Sequence, residues 1–499
     1  MNADANKQHL DLLKTRVEKL NAVSPTFCLA KWLQSTTTLY NGYTHSCHHP
    51  TAHKINIDEI KHNHRGLHNT PIKIAARKDM MNGVQTKECD YCWNIENLGK
   101  DHFSDRHYKS AWGLGMWENF DAVIESGLGP TIAPAYLEVA FENICNFKCT
   151  YCSPDVSSRW MEEIQTHGGY KMPNGETHHD LEWMKSVGKF PIHHKEQNPY
   201  IDAFWEWWPE LYQSLDTFRI TGGEPLLTEN TWKILDYIIA NPRPDFKLGI
   251  NTNMGIPRKL VEKLCSKINQ LHGKIREIVI YTSTESVGEQ AEYARYGMDW
   301  ELFTSNIDYF LLNTPPLVRI QFMTTVNILS APKFDWFLDY IAELRLAYGG
   351  RPNRRRVGFN IAYLRWPRHM SITLLDKQGK IDFKYKMLGS IEKHHTNRQP
   401  DDNSALLLEE VDQINRLVNF MNSVEQDPEQ LDALVGFFDE MDRRRDTQFT
   451  AVFPELVPVY LQGHEIRAAR LAREAAGIPK ERPAMHTLIN NIKPKEADE

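Results

Sequence analysis

Residues 137–152 read Leu137-Glu-Val-Ala-Phe-Glu-Asn-Ile-Cys145-Asn-Phe-Lys-Cys149-Thr-Tyr151-Cys152. The first half is an apolar, alternating run of the kind that forms a strand. The second half sets three thiols at C-x3-C-x2-C spacing, in the loop that this strand delivers from its C-terminal end. A cubane iron-sulfur cluster takes four thiolates, so a loop offering three leaves one iron without a protein ligand and open to a small molecule. Taken alone, the triplet also reads as a zinc knuckle or as three unrelated reduced thiols.

Outward from that strand, runs of strand and helix pattern alternate between Tyr136 and Trp366, as parallel β/α units do. Strands are expected near 135–142, 215–221, 246–252, 276–283, 317–327 and 356–364. Helices are expected over Glu229 to Ile239, Pro257 to Asn269 and Phe334 to Tyr348, each with apolar residues at helical spacing. These units predict an α/β fold, a partial (β/α)6 TIM-like barrel over residues 130–370. In such barrels the active site is built by loops at the C-terminal ends of the strands.

The polar motifs fall at those ends. The second strand, Thr217-Phe-Arg-Ile-Thr221, runs into Gly222-Gly223-Glu224-Pro225. Two glycines there let backbone approach a ligand closely, and a Glu can accept hydrogen bonds from an ammonium group. The third strand ends at Asn251-Thr252-Asn253, the fourth at Tyr281-Thr-Ser283-Thr-Glu285 and the fifth at Asn327. Solvent-facing loops would have to repeat that coincidence at every strand.

Together these motifs resemble the radical S-adenosylmethionine superfamily, over about residues 130–370. The resemblance implies that Cys145, Cys149 and Cys152 hold a 4Fe-4S cluster whose unique iron chelates the amino and carboxylate groups of S-adenosylmethionine. It also implies that Gly222, Gly223 and Glu224, with Pro225 closing the motif, bind the methionyl ammonium, and that backbone near Tyr151 meets the adenine. Asn253, Ser283 and Glu285 become candidates for the ribose and carboxylate, together with Asn327. Arg295, in Tyr293-Ala-Arg295-Tyr-Gly, sits about where related enzymes carry an arginine for the methionyl carboxylate; its alternative is a surface helix charge. The implied chemistry is reductive cleavage of the sulfonium to a 5′-deoxyadenosyl radical that abstracts a substrate hydrogen, with a flavodoxin or ferredoxin-type electron donor.

Four further cysteines lie N-terminal: Phe27-Cys28, Ser46-Cys47-His48-His49 and Lys87-Glu-Cys89-Asp-Tyr-Cys92-Trp93. Dispersed thiols ending in C-x2-C can close a complete tetrahedral or cubane site, and spacing does not separate zinc from iron-sulfur. The pattern resembles the SPASM or twitch modules that carry an auxiliary 4Fe-4S cluster, placed here before the barrel although such modules usually follow it. Structural zinc and free thiols remain the alternatives. His45, His48 and His49 are possible extra ligands, although a polar loop explains them as well. Cys265 is a lone thiol on an amphipathic helix with Leu260, Val261, Leu264 and Ile268, and reads as a buried structural residue.

Composition is that of a globular, soluble protein. The chain has 499 residues, 41% of them hydrophobic, with a formal net charge of -7. No long basic run offers the electrostatic footprint of a duplex-binding protein. The clusters Arg354 to Arg356 and Arg443 to Arg445 read as solvated loop or helix ends. Met1 to Gln8 is polar and no stretch approaches the ~20 apolar residues of a membrane span, so a cytoplasmic location is expected. There, cysteines serve metal binding or chemistry rather than disulfides.

The expected organisation is a cysteine-rich region over 1–125, the barrel over 130–370 with an insertion at about 155–210, and a mainly helical extension over 371–499. The insertion holds His178-His179, His193-His194 and Phe204-Trp205-Glu-Trp207-Trp208. It can cover the barrel mouth, although its tryptophans are better explained by helix packing on the barrel flank. Amphipathic helices from Leu407 to Met421 and from Leu431 to Met441 are expected to cap the barrel, and Lys493 to Glu499 to fray. The expected function is modification of a peptide or protein substrate. Dehydrogenation or rearrangement of a carbohydrate or nucleotide is the alternative, since the first 120 residues show no peptide-binding winged helix. A zinc-stabilised, non-catalytic binding protein is the rival from another class.

Overall fold

The computed structural model describes residues 3–478 except 100, 101, 114, 352, 353, 400 and 401, so the frayed end expected at Lys493 to Glu499 lies outside the described residues. All six expected strands are present: β4 (Tyr136–Ala140), β5 (Thr217–Thr221), β6 (Lys247–Asn251), β7 (Glu277–Thr282), β8 (Arg319–Val326) and β11 (Val357–Tyr363). They pair in parallel, each with the next in sequence. Three more strands extend the same sheet from the N-terminal region: β1 (Gln34–Thr38), β2 (Tyr43–His45) and β3 (His53–Lys54). β1 runs parallel to β4, with Thr36 opposite Glu138, while β2 and β3 turn back antiparallel. The result is an open nine-stranded sheet in the order β11-β8-β7-β6-β5-β4-β1-β2-β3. A separate two-stranded ribbon, β9 (Gly350–Arg351) with β10 (Arg354–Arg355), precedes β11.

The sheet has unlike faces. On one, Leu137, Val139, Phe218, Ile220, Leu248, Ile250, Ile278, Ile280, Ile320 and Phe322 are buried in the main core. Helices Glu229–Ala240, Arg258–Leu271 and Phe334–Tyr348 contribute Leu235, Leu264, Phe337 and Leu338 to the same core. On the other face the alternate residues, among them Glu138, Arg219, Asn251, Tyr281 and Gln321, remain half-buried. Parallel sheets are normally apolar on both sides because helices cover both, so this face is set apart by its polarity. A second, smaller core lies in the N-terminal region around Phe27, Trp32, Met80 and Trp93, and includes Cys28, Cys89 and Cys92.

The aromatic helix Pro199–Ser214 packs on the sheet: Trp208 lies 4.8 Å from Phe218 and Phe204 lies 5.0 Å from Phe141, ring centre to ring centre. Cys265 is buried on its helix. The expectation of solvated arginine clusters needs correction. Arg356 is buried and donates to the Thr314 carbonyl at 2.8 Å. Arg445, at the end of helix Pro428–Arg445, is buried against Glu163 at 2.9 Å, whereas Arg444 lies over the Tyr170 ring and Arg443 pairs with Glu440 at the surface. Consecutive helix positions point about 100° apart, so one run of arginines meets three environments. Among the described residues no helix is long and apolar enough to cross a membrane.

Candidate active site

Cys145, Cys149 and Cys152 follow β4 in a loop gripped from three sides. From β5, Gly223 N–H reaches the Glu142 carbonyl at 3.3 Å and Glu224 N–H reaches the Ile144 carbonyl at 2.6 Å. A Cβ at Gly223 would stand 2.2 Å from the Ile144 oxygen, so only glycine permits this approach. From β6, the Asn253 side chain donates to Asn146 at 2.7 Å, and Asn146 donates to the Gly255 carbonyl at 2.8 Å. From the segment after β7, the carbonyls of Ala294 and Tyr296 accept from Thr150 N–H at 2.8 Å and Lys148 N–H at 2.9 Å.

Within that grip, the Phe147 amide donates to the Cys145 thiol at 3.4 Å and Arg295 reaches the Cys149 sulfur at 3.8 Å. Burial raises all three thiol pKa values, that of Cys145 to about 12. Thiols so desolvated ionise readily only beside a cation or metal.

Glu224 is fully buried. One of its oxygens accepts from Leu226 N–H at 3.0 Å and the other from Asn253 N–H at 2.6 Å. Among the described residues no cation pairs with it, and burial outweighs those hydrogen bonds, pushing its pKa up to about 7. Glu285 and Arg295 form a buried pair at 3.3 Å, and Tyr151 donates to the same carboxylate oxygen at 3.3 Å. Burial alone would lower the Arg295 pKa; Glu285 and Tyr151 more than offset it. Among the described residues Arg295 Nε has no partner and is buried.

Pro225 opens a short turn immediately after Glu224, and Ser283 stands half-buried just past β7. The Asn327 side chain is committed to its own turn, accepting from Leu329 N–H and donating to the Thr325 carbonyl, both at 2.9 Å.

Several supports of the loop were not singled out in the sequence. Trp160 donates to the Cys149 carbonyl at 2.8 Å and a His179 ring nitrogen meets the Cys152 carbonyl at 3.0 Å. Arg445 lies over Trp160, 4.5 Å from the ring centre. The His178-His179 pair was visible as a motif, but nothing in its spacing pointed at the cysteine loop.

The four N-terminal cysteines converge. Cys28, Cys47, Cys89 and Cys92 line one small cavity of about 20 Å3. Cys28 caps the short helix Leu29–Leu33, Cys89 precedes and Cys92 lies within helix Asp90–Glu96, and Cys47 follows β2. Three cations share the wall, and each has an acid: Lys31 with Glu88, Arg106 with Glu96 at 2.8 Å, and Lys109 with Asp105 at 3.4 Å. Burial raises the Cys47 and Cys92 pKa values, to about 11 and about 12. His49 lines this cavity and bonds Asp105 at 2.8 Å, whereas His48 is exposed outside it. Among the described residues no three His, Cys, Asp or Glu side chains are grouped as they would be around a single metal ion.

Fold and thiols thus define an α/β protein with a mostly parallel sheet, three cysteines at one strand end and four around a second cavity. No protein-family model matches the chain, and no curated protein matches it. Among solved structures it is similar to Streptococcus suis SuiB bound to S-adenosylmethionine, at 13% identity and a TM-score of 0.31, covering 72% of this chain and 68% of that one. It is likewise similar to SuiB bound to the precursor peptide SuiA, at 13% identity and a TM-score of 0.32, covering 73% and 69%.

Proposed function

We propose that this chain is a radical S-adenosylmethionine enzyme on a partial barrel, acting on a peptide or protein. Cys145, Cys149 and Cys152 would hold the 4Fe-4S cluster; Cys28, Cys47, Cys89 and Cys92 would hold a second. The observation that carries the reading is the Glu224 carboxylate, buried with no cation beside it among the described residues, on the residue whose backbone N–H bonds the Ile144 carbonyl just before Cys145. A carboxylate desolvated without a cation is costly, and the ammonium of S-adenosylmethionine supplies the missing charge. The orphaned Arg295 Nε offers a donor for the methionyl carboxylate.

When bound, such a cluster supplies the electron that cleaves the sulfonium and yields a 5′-deoxyadenosyl radical. The chain's own residues orient and exclude. Gly222 and Gly223 hold backbone against the cysteine loop, and Glu285 fixes Arg295. Trp160 and His179 hold the loop carbonyls away from solvent. Around the N-terminal cavity, cations and acids already balance, which suits a closed site whose thiolates are all spent on metal and whose role is electron relay or structural brace. Electrons would come from a flavodoxin or ferredoxin-type donor.

Anaerobic iron and sulfide counting tests the assignment. About eight irons per chain are expected from two four-iron cubanes. The count should fall to about four when Cys145, Cys149 and Cys152 are all replaced by Ala, and likewise for Cys89→Ala with Cys92→Ala. One zinc with four irons would give the N-terminal site to zinc; no iron at all would leave the non-catalytic binding protein.

A further inference from the structure

The half-buried face of the sheet carries a second polar group that the cluster reading does not use. By register, Glu138 stands opposite Arg219 and Arg219 opposite Gly249, while Asn251 stands opposite Tyr281 one pleat further on. Residues two apart share a face, so all belong to the same side. The Arg219 Nε donates to Asn251 at 2.9 Å and its guanidinium lies 4.0 Å from the Tyr281 ring centre. Its terminal nitrogens come no nearer than 3.8 Å to Glu138, too far for a hydrogen bond, and the two side chains are 18% and 15% exposed. Gly249 lets both side chains close over the strand: a Cβ there would lie 3.1 Å from Tyr281 and 3.2 Å from Arg219.

An arginine whose forked end is partly exposed on such a face is a ready donor of two parallel N–H bonds to a carboxylate. The group also lies between the two thiol sites. β4, which carries Glu138, leads into the Cys145 loop, and β1, with Thr36 opposite both Glu138 and His45, joins it to the strand that runs toward Cys47.

We propose that Arg219, oriented by Asn251 and Tyr281, is the seat for a carboxylate of the substrate, presented by an acidic side chain or a chain terminus of a peptide. The proposal rests on the enzyme reading above and adds the class of group recognised. Glu138 limits the site by competing for the same guanidinium.

The test titrates the iron-loaded full chain at low salt with two probe pairs, followed by calorimetry. N-acetylglutamic acid α-amide against N-acetylglutamine amide reports a side-chain carboxylate, and N-acetylalanine against N-acetylalaninamide a terminal one. In one pair the acid should bind about tenfold tighter than the amide, as expected for a charge-assisted hydrogen bond. Arg219→Gln should abolish that preference, Glu138→Gln should enlarge it, and Arg276→Gln, at the N-terminal edge of the sheet, should leave it intact. Asn251→Asp keeps the arginine but sets a carboxylate on its Nε, and should also remove the preference. Equal binding of acid and amide by the unaltered chain, or a preference that survives Arg219→Gln, overturns the proposal. Iron counts on the same samples separate the two readings. Carboxylate preference without iron leaves the seat standing and removes the cluster assignment, and iron without preference does the reverse.

Discussion

The two thiol sites are built on opposite electrostatic plans. Around Cys28, Cys47, Cys89 and Cys92, each cation on the cavity wall has its acid, although Lys109 Nζ, 3.4 Å from Asp105, makes no hydrogen bond among the described residues; Cys28, Cys89 and Cys92 belong to a small core of their own. Around Cys145, Cys149 and Cys152 one charge is left incomplete: Arg295 has Glu285, but Glu224 has no cation among the described residues. The comparison separates four thiols whose cationic neighbours all have acids from three thiols beside a buried carboxylate that has no cation among the described residues.

The largest expected effect breaks the comparison outright. Replacing Cys145, Cys149 and Cys152 by Ala should abolish formation of 5′-deoxyadenosine under strong reduction, read by chromatography. Replacing Cys89 and Cys92 should leave S-adenosylmethionine binding detectable.

Gly223→Ala comes next, because its Cβ would strike the Ile144 carbonyl. Overpacking against backbone should cost about 3 kcal/mol, read from the denaturation midpoint of the metal-free chain. Iron at the N-terminal site should be retained. Glu224→Gln should weaken S-adenosylmethionine binding about tenfold, the value of a charged hydrogen bond, with the iron count unchanged. If affinity holds, the vacancy at Glu224 has another purpose.

The smallest expected effect is one of sign. In the metal-free chain, burial holds His53 and His107 down to about 4, so the unfolded state binds more protons between about 6.5 and 4, and the N-terminal region loses stability as pH falls through that window. Glu224, raised to about 7, binds its proton more tightly when folded, and its contribution is lost as pH rises from about 4.5 to 7. Hydrogen exchange at pH 5 and pH 7 should therefore loosen the two regions in opposite directions. A parallel response would contradict the contrast.

The β/α alternation made the six central strands legible, and helix Phe334–Tyr348 has the expected ends. What stayed hidden has physical reasons. Gln34-Ser-Thr-Thr-Thr38 shows no apolar alternation, and becomes a strand only because β4 pairs with it and buried Lys73 donates to Ser35 and Thr44, both at 2.9 Å. The convergence of four cysteines from Cys28 to Cys92 was suggested by their number and C-x2-C pair, but the charged wall around them comes from residues scattered as far as Lys109. Arg219 and Glu138 sit inside strands, where spacing marks a face without telling whether helices cover it. Arg445 was lost among its neighbours because helix phase, not sequence, decides which of three arginines turns inward.

The clasp of Ala294 and Tyr296 on Lys148 and Thr150 also sets a timetable. A chain emerging from the ribosome folds N-terminal parts first. The wall of the four-cysteine cavity is all synthesised by Lys109, whereas the three-cysteine loop waits for a stretch nearly 150 residues downstream before its backbone is fixed. The wall of the four-cysteine cavity is accordingly complete in the growing chain while the three-cysteine loop still lacks the segment that clasps it, so the two groups of thiols acquire their surroundings in order along the chain.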